Sequence, residues 1–128
     1  MRPIPLAFRP HFKPVVWGGR RLREVFGADC PDERVGEAWL VSDREGAWSR
    51  VAGGAHDGRT LGEVVADDPE GWLGRAVVAA GGATFPLLVK LIDAATDLSV
   101  QVHPDDATAR ELGGSDEAKS ECWSILEA

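Results

Sequence analysis

Asp97-Leu98-Ser99-Val100-Gln101-Val102-His103-Pro104-Asp105-Asp106 alternates without a break through its first seven residues. Leu98, Val100 and Val102 fall on one side and Ser99, Gln101 and His103 on the other, which is the two-residue period of a β-strand. The apolar side calls for a core. The polar side has two readings: it looks at bulk water, or it lines a wet cavity. Pro104-Asp105-Asp106 then predicts a short helix, because Pro is tolerated in the first turn and acids sit well at the positive end of the helix dipole. Gly113-Gly114 is placed to stop that helix. On the N-terminal side, residues 86–93 hold a dense apolar run, Leu87-Leu88-Val89-Lys90-Leu91-Ile92, with Lys90 as its single charged intruder, and predict a buried strand. On the C-terminal side, residues 119–126 predict a final strand with Lys119, Glu121 and Trp123 on one face.

The first two thirds of the chain are punctuated by Pro and Gly. Leu6-Ala7-Phe8 reads as a short extended piece between Pro5 and Pro10, and Trp17-Gly18-Gly19 as a turn. Leu22, Val25 and Phe26 fall at helical spacing over residues 20–26, with Gly27 positioned to end the helix. Residues 35–42 and 47–52 predict two strands joined by Asp43-Arg44-Glu45-Gly46 as a β-hairpin. Thr60 and Glu63 form a capping box ahead of a short helix through Val64 and Val65. Pro69 and Gly71-Trp72-Leu73-Gly74 predict a second brief helix or turn, and Gly81-Gly82 a loop. The expected class is therefore mainly β with short helices, α+β, in one domain over residues 1–128 with no internal boundary.

Composition narrows the function. In 128 residues, 44% are hydrophobic and 27% charged, which fits a globular chain able to build a core without covalent staples. The formal net charge of −7 argues against a phosphate-backbone binder, so no nucleic acid is expected as a partner. The cluster Arg20, Arg21 and Arg23 is the kind of short basic run that forms a solvated face. Cys30 and Cys122 lack any CxxC spacing and read as free thiols. With no signal-like stretch and no apolar window of about 20 residues, a cytoplasmic protein without a membrane partner is expected.

The polar side of residues 97–103 carries the chemistry. With Glu121 from the next predicted strand, Gln101 and His103 offer an amide oxygen, an imidazole and a carboxylate to a divalent ion, and zinc accepts imidazole and carboxylate. Each residue also has a plain structural reading. Lys90 snorkels from a sheet edge, Glu37 and Trp39 form an exposed pair on the hairpin, Trp17 and Trp123 are core aromatics, and Asp105 and Asp106 serve the helix N-terminus. His11, among prolines, and His56, in the surface turn predicted before Asp57-Gly58, are poor candidates for a further ligand.

Five ordered segments go beyond this. Trp17-Gly18-Gly19, Gly36-Glu37-Ala38-Trp39, Phe85-Pro86-Leu87-Leu88-Val89-Lys90-Leu91-Ile92-Asp93-Ala94, the decapeptide 97–106 and Lys119-Ser120-Glu121-Cys122-Trp123 closely resemble the type I phosphomannose isomerases. The approach Gly58-Arg59-Thr60-Leu61 is similar as well. The resemblance implies a cupin-type jelly-roll β-barrel, incomplete in this chain, and a zinc-dependent aldose–ketose isomerase interconverting mannose 6-phosphate and fructose 6-phosphate. It carries one Zn2+ onto Gln101, His103 and Glu121, catalytic roles onto Lys119, Lys90 and Glu37, and contact with the phosphorylated sugar onto Trp17 and Ser99. Whether Lys119 moves a proton or clamps phosphate stays open, and Lys90 and Ser99 are equally suited to hold the dianion. The family's fourth ligand, a His, and its catalytic Arg lie further along, so residues 1–128 are expected to be the N-terminal part of the catalytic domain. The alternative is a short non-catalytic cupin-like protein that binds metal or sugar phosphate.

Overall fold

The computed structural model describes residues 4–31, 33–113 and 118–128, which divide into two compact units, Met1–Asp97 and Leu98–Ala128. The first is a small mixed α/β unit. Strands β1 (Phe8–Arg9), β2 (His11–Lys13), β3 (Glu37–Val41), β4 (Arg50–Val51) and β5 (Val89–Ile92) form two antiparallel sheets, β1-β4 and β2-β3-β5. Helices α1 (Arg21–Phe26), α2 (Leu61–Asp67), α3 (Pro69–Leu73) and α4 (Arg75–Ala79) complete it. No closed barrel is formed among the described residues.

The three-stranded sheet has one apolar face. Phe12, Ala38 and Leu91 stand opposite one another across β2, β3 and β5. They pack with Leu40 and Phe26 around the buried Leu22, Cys30 and Val35. Leu22 and Phe26, four residues apart on α1, present one stripe to this core, whereas Val25 at the same helical spacing is 65% exposed. Gly27 ends α1 at φ +59°, a conformation that favours glycine. Burial also pushes the Cys30 thiol up, against the lowering effect of Arg23.

Close approach of backbone to backbone holds the Trp17-Gly18-Gly19 loop in place. The loop bridges Val35 through Gly19 and Ala94 through Gly18. A Cβ on Gly18 would fall 2.5 Å from the amide nitrogen of Gly36. Only glycine allows that approach.

Local helix signals are realised as read. Thr60 accepts from the Glu63 amide (3.2 Å) while the Glu63 carboxylate accepts from the Thr60 amide (2.7 Å), closing the capping box of α2. Leu61, Val64 and Val65 form its buried stripe. Asp68 caps α3, with Pro69 at its first position.

Four strand expectations are corrected. The hairpin of residues 35–42 and 47–52 does not form a ladder: β3 already pairs with β2 on one edge and β5 on the other, so β4 pairs with β1. The two runs meet at buried Ser42 and Ser49, where the Ser49 amide donates to the Ser42 carbonyl (2.8 Å) and the Ser42 amide to the Ser49 hydroxyl (2.8 Å), which in turn donates to the Leu40 carbonyl (3.5 Å). The run 86–93 is strand only over β5, and that strand is an edge rather than a buried centre, with Leu87 60% and Val89 45% exposed. Residues 97–103 and 119–126 form no strand, because no described segment supplies the neighbouring backbone that a ladder needs. Val100, Val102, Ile125 and Leu126 are accordingly exposed, and so is Trp123, which was expected in a core.

The second unit contains helix α5 (Asp106–Glu111). Asp105 caps it by accepting from the Thr108 amide at 2.8 Å, which lowers the Asp105 carboxyl below its ordinary value. Gly113 follows at φ +67°; Gly114, the second half of the expected stop, lies outside the described residues. No helix among the described residues is long and apolar enough to cross a membrane.

Candidate functional site

The polar face of the three-stranded sheet carries the first group of side chains. Antiparallel register sets Lys13 opposite Glu37 and His11 opposite Trp39, and on the other edge Lys90 opposite Trp39 and Ile92 opposite Glu37. Directly opposed residues project from the same face, so the face opposite Phe12, Ala38 and Leu91 presents His11, Lys13, Glu37, Trp39 and Lys90. Glu37 is held at both oxygens. Its Oε1 accepts from Lys90 Nζ at 3.0 Å and its Oε2 from the Trp39 indole Nε1 at 2.6 Å. The Lys90 and Glu37 side chains are only 20% and 15% exposed.

Burial alone would push the Glu37 carboxyl up. The Trp39 donor, the Lys90 ammonium and nearby Lys13 outweigh it and hold the group below the usual carboxylate range. Lys13 Nζ lies 3.6 Å from the centroid of the Trp39 ring, a cation–π contact, and the His11 ring meets that indole edge-on at 6.4 Å.

Trp17 reaches this neighbourhood through its backbone. Its carbonyl accepts from the Ala95 amide (2.9 Å), and its six-membered ring lies where a Cβ on Gly36 would stand, next to Glu37. Asp93 fixes the same loop: its carbonyl accepts from Gly19 (3.1 Å) and its carboxylate from the Arg21 amide (2.6 Å). The carboxylate thereby holds the chain as it enters α1.

The second unit brings together His103, Lys119 and Glu121. His103 Nε2 and Glu121 Oε2 are 2.6 Å apart, and Lys119 Nζ is 3.3 Å from the same oxygen. Asp106 helps set this arrangement, since its Oδ1 accepts from the Ala118 amide at 2.8 Å and ties the start of α5 to the residue before Lys119. The His103 hydrogen bond, with Lys119 behind it, lowers the Glu121 carboxyl against the opposing effect of burial. Asp105 and Asp106 thus serve the helix and its neighbouring segment, as their position predicts.

Ser99 and Gln101 are not gathered with these groups. Both are exposed in the irregular segment before Pro104, and among the described residues Gln101 has no hydrogen bond to His103 or Glu121. As a metal-donor set the cluster fits in kind: an imidazole nitrogen and a carboxylate oxygen already converge on one point. Among the described residues no group of three or more His, Cys, Asp or Glu side chains assembles.

Sequence reasoning missed Lys13 and misplaced Trp39. Glu37 and Trp39 are not an exposed hairpin pair but belong to the central strand. The signal lay in two short alternations, His11-x-Lys13 around Phe12 and Glu37-x-Trp39 around Ala38, each with its polar residues on one face.

Comparison with known proteins matches residues 6–123 to the family model of the phosphomannose isomerase type I catalytic domain. The probable mannose-6-phosphate isomerase GmuF of Bacillus subtilis is 45% identical over 123 residues, covering 96% of this chain and 38% of the relative. The mannose-6-phosphate isomerase of Streptococcus mutans is 40% identical over 124 residues, covering 97% and 37%. The crystal structure of the mannose 6-phosphate isomerase from Bacillus subtilis aligns with a TM-score of 0.65 at 41% identity, covering 84% of this chain and 32% of that one. The chain therefore spans less than two fifths of the curated relatives' length.

Proposed function

The chain belongs to the type I phosphomannose isomerase family, and from that premise we propose that it serves the interconversion of mannose 6-phosphate and fructose 6-phosphate. The observation that carries this is the convergence of His103, Glu121 and Lys119, eighteen residues apart at the extremes, on a single carboxylate oxygen. A non-catalytic binding protein is not favoured, because the relatives that cover nearly the whole chain are named as isomerases.

One zinc ion is the proposed cofactor, held by His103, Glu121 and the Gln101 amide oxygen, with a further His and an Arg supplied outside these residues. Bound there, zinc supplies a Lewis acid for negative charge that develops on sugar oxygen. Isomerisation itself removes the proton from C2 of the aldose as the C1=O π bond opens to an enediolate with a C1=C2 bond, returns a proton to C1 as the C2=O bond forms, and moves the hydroxyl proton from O2 to O1, so positioned proton carriers are required. We assign this work to Lys119, Lys90 and Glu37. Glu37 orients Lys90 through their 3.0 Å contact, and Lys119 is held beside Glu121 at 3.3 Å. Trp17 and Ser99 are assigned to the sugar phosphate, the Trp17 ring as an apolar wall and the Ser99 hydroxyl as a donor.

The proposed architecture of the complete domain is a cupin-type barrel of which residues 1–128 form the N-terminal part. A cytoplasmic location is supported by free thiols at Cys30 and Cys122. The net charge of −7 favours a small phosphorylated sugar over nucleic acid as the ligand. The test is His103→Ala in protein carrying the complete domain, read by zinc content and by a coupled isomerase assay. Loss of both is expected. Retained zinc with normal turnover would overturn the assignment.

A further inference from the structure

We propose that Trp39 is a positioning residue for Glu37, its indole N–H fixing one carboxylate oxygen so that the other is presented to Lys90; the role rests on the isomerase function proposed above. The argument begins with torsional freedom. The terminal torsion of a glutamate is broad and roughly two-fold, so a single partner at one oxygen leaves the plane of the carboxylate free to turn. Glu37 has a partner at each oxygen, Lys90 on Oε1 at 3.0 Å and Trp39 Nε1 on Oε2 at 2.6 Å. This pair of contacts fixes both the plane and the reach of the group.

The strand geometry makes Trp39 suited to this. Residues 37 and 39 lie on the same face of the central strand, and Lys90 stands opposite Trp39 in the register, diagonal to Glu37. The indole is itself held from the far side, by Lys13 Nζ over its ring at 3.6 Å and by the edge of His11. The charged and titratable groups facing Glu37 are therefore Lys13 and His11 from β2 and Lys90 from β5. Lys13 stands directly across from Glu37, yet its ammonium rests on the indole, which leaves Lys90 as the cation bonded to the carboxylate. An ordinary packing role for Trp39 would require its ring but not its N–H.

Trp39→Phe bears on this, since it keeps an aromatic ring on the strand face while removing the N–H donor with the pyrrole half of the indole. The expected result is a fall in kcat of about 10- to 100-fold with KM changed by less than about threefold, as for other losses of a group that orients a reacting residue. The acid limb of the kcat/KM profile should move to higher pH, and the Glu37 carboxyl, followed by 13C NMR without substrate, should titrate higher than in the unaltered protein. In a Glu37→Gln background, Trp39→Phe should add less than about a twofold further loss, because the two changes remove one unit. Lys13→Met provides a milder second variant that leaves the indole in place. Losing the cation over the ring should lower kcat by about 2- to 5-fold in the same direction.

Unchanged kcat and pH profile in Trp39→Phe, or a full additional loss in the Glu37→Gln background, overturns the proposal. If the unaltered protein turns over mannose 6-phosphate normally and only these variants behave otherwise than expected, the positioning role alone is wrong. No turnover by unaltered protein carrying the complete domain refutes the isomerase function, and the positioning role falls with it.

Discussion

Replacing Gly36 with Ala tests how the sheet positions the Trp17 loop. A Cβ at residue 36 would overlap Val15 Cγ2 and two carbons of the Trp17 six-membered ring. The backbone has no freedom to retreat, because the Gly36 amide donates to the Lys13 carbonyl at 3.2 Å and the Gly36 carbonyl accepts from Asp93 at 2.9 Å. The strain must therefore fall on Trp17 and Val15, and inserting one carbon into such a packed place costs roughly 1–3 kcal/mol. We expect the upper half of that range, about 2 kcal/mol or more, since three atoms are overlapped and the backbone is held on both sides. A loss of 2 kcal/mol is about a thirtyfold change in the folding equilibrium. Urea unfolding followed by tryptophan fluorescence should show a lower midpoint at unchanged slope. Gly46→Ala is the comparison: nothing lies within 4 Å of its Cβ position, and only its φ of +75° opposes the change. That should cost about 1 kcal/mol. A Gly36→Ala protein within about 0.5 kcal/mol of the unaltered one would refute the packing reasoning.

Two further outcomes follow from single contacts. Glu37 has a folded-state pKa below its unfolded value, so its stabilisation is complete above about pH 4.3 and is lost as pH falls through the folded value. Thermal unfolding should therefore show Glu37→Gln weaker by about 1.5–3 kcal/mol near neutral pH, with the gap closing as pH falls below about 4.3; a gap independent of pH would contradict the ion pair. Thr60→Ala removes the hydroxyl that caps α2. It should cost about 1 kcal/mol in chemical denaturation, and Thr60→Ser should restore most of it.

Legibility followed the range of the interactions. The ends of α2 and α5 were readable because a cap is settled within four residues: Thr60 with Glu63, and Asp105 with Thr108. Strand pairing was not, because it depends on which distant backbone reaches an edge first. β3 has two edges, and His11–Lys13 and Val89–Ile92 occupy them, so the nearby run at 50–51 turned to Phe8–Arg9 instead of closing a hairpin. Alternation at residues 97–103 and 119–126 shows which side chains share a face, yet without a neighbouring strand it produces no ladder. The candidate site divides in the same way. Of Gln101, His103 and Glu121, read as one donor set with Lys119 on the face of Glu121, the last three meet and Gln101 does not; Glu37 and Lys90, linked through the resemblance, also meet. Trp39 was misread because its role depends on a hydrogen bond to its second neighbour across the face of a central strand, whereas a hairpin would have left both residues exposed.

The most direct test of the account is to incubate zinc-supplied protein carrying the complete domain with mannose 6-phosphate and follow the sugar by 13C NMR. Interconversion with fructose 6-phosphate that stops on chelation and returns with zinc is the predicted result. Mannose 6-phosphate left unchanged by folded, zinc-bearing protein would contradict it.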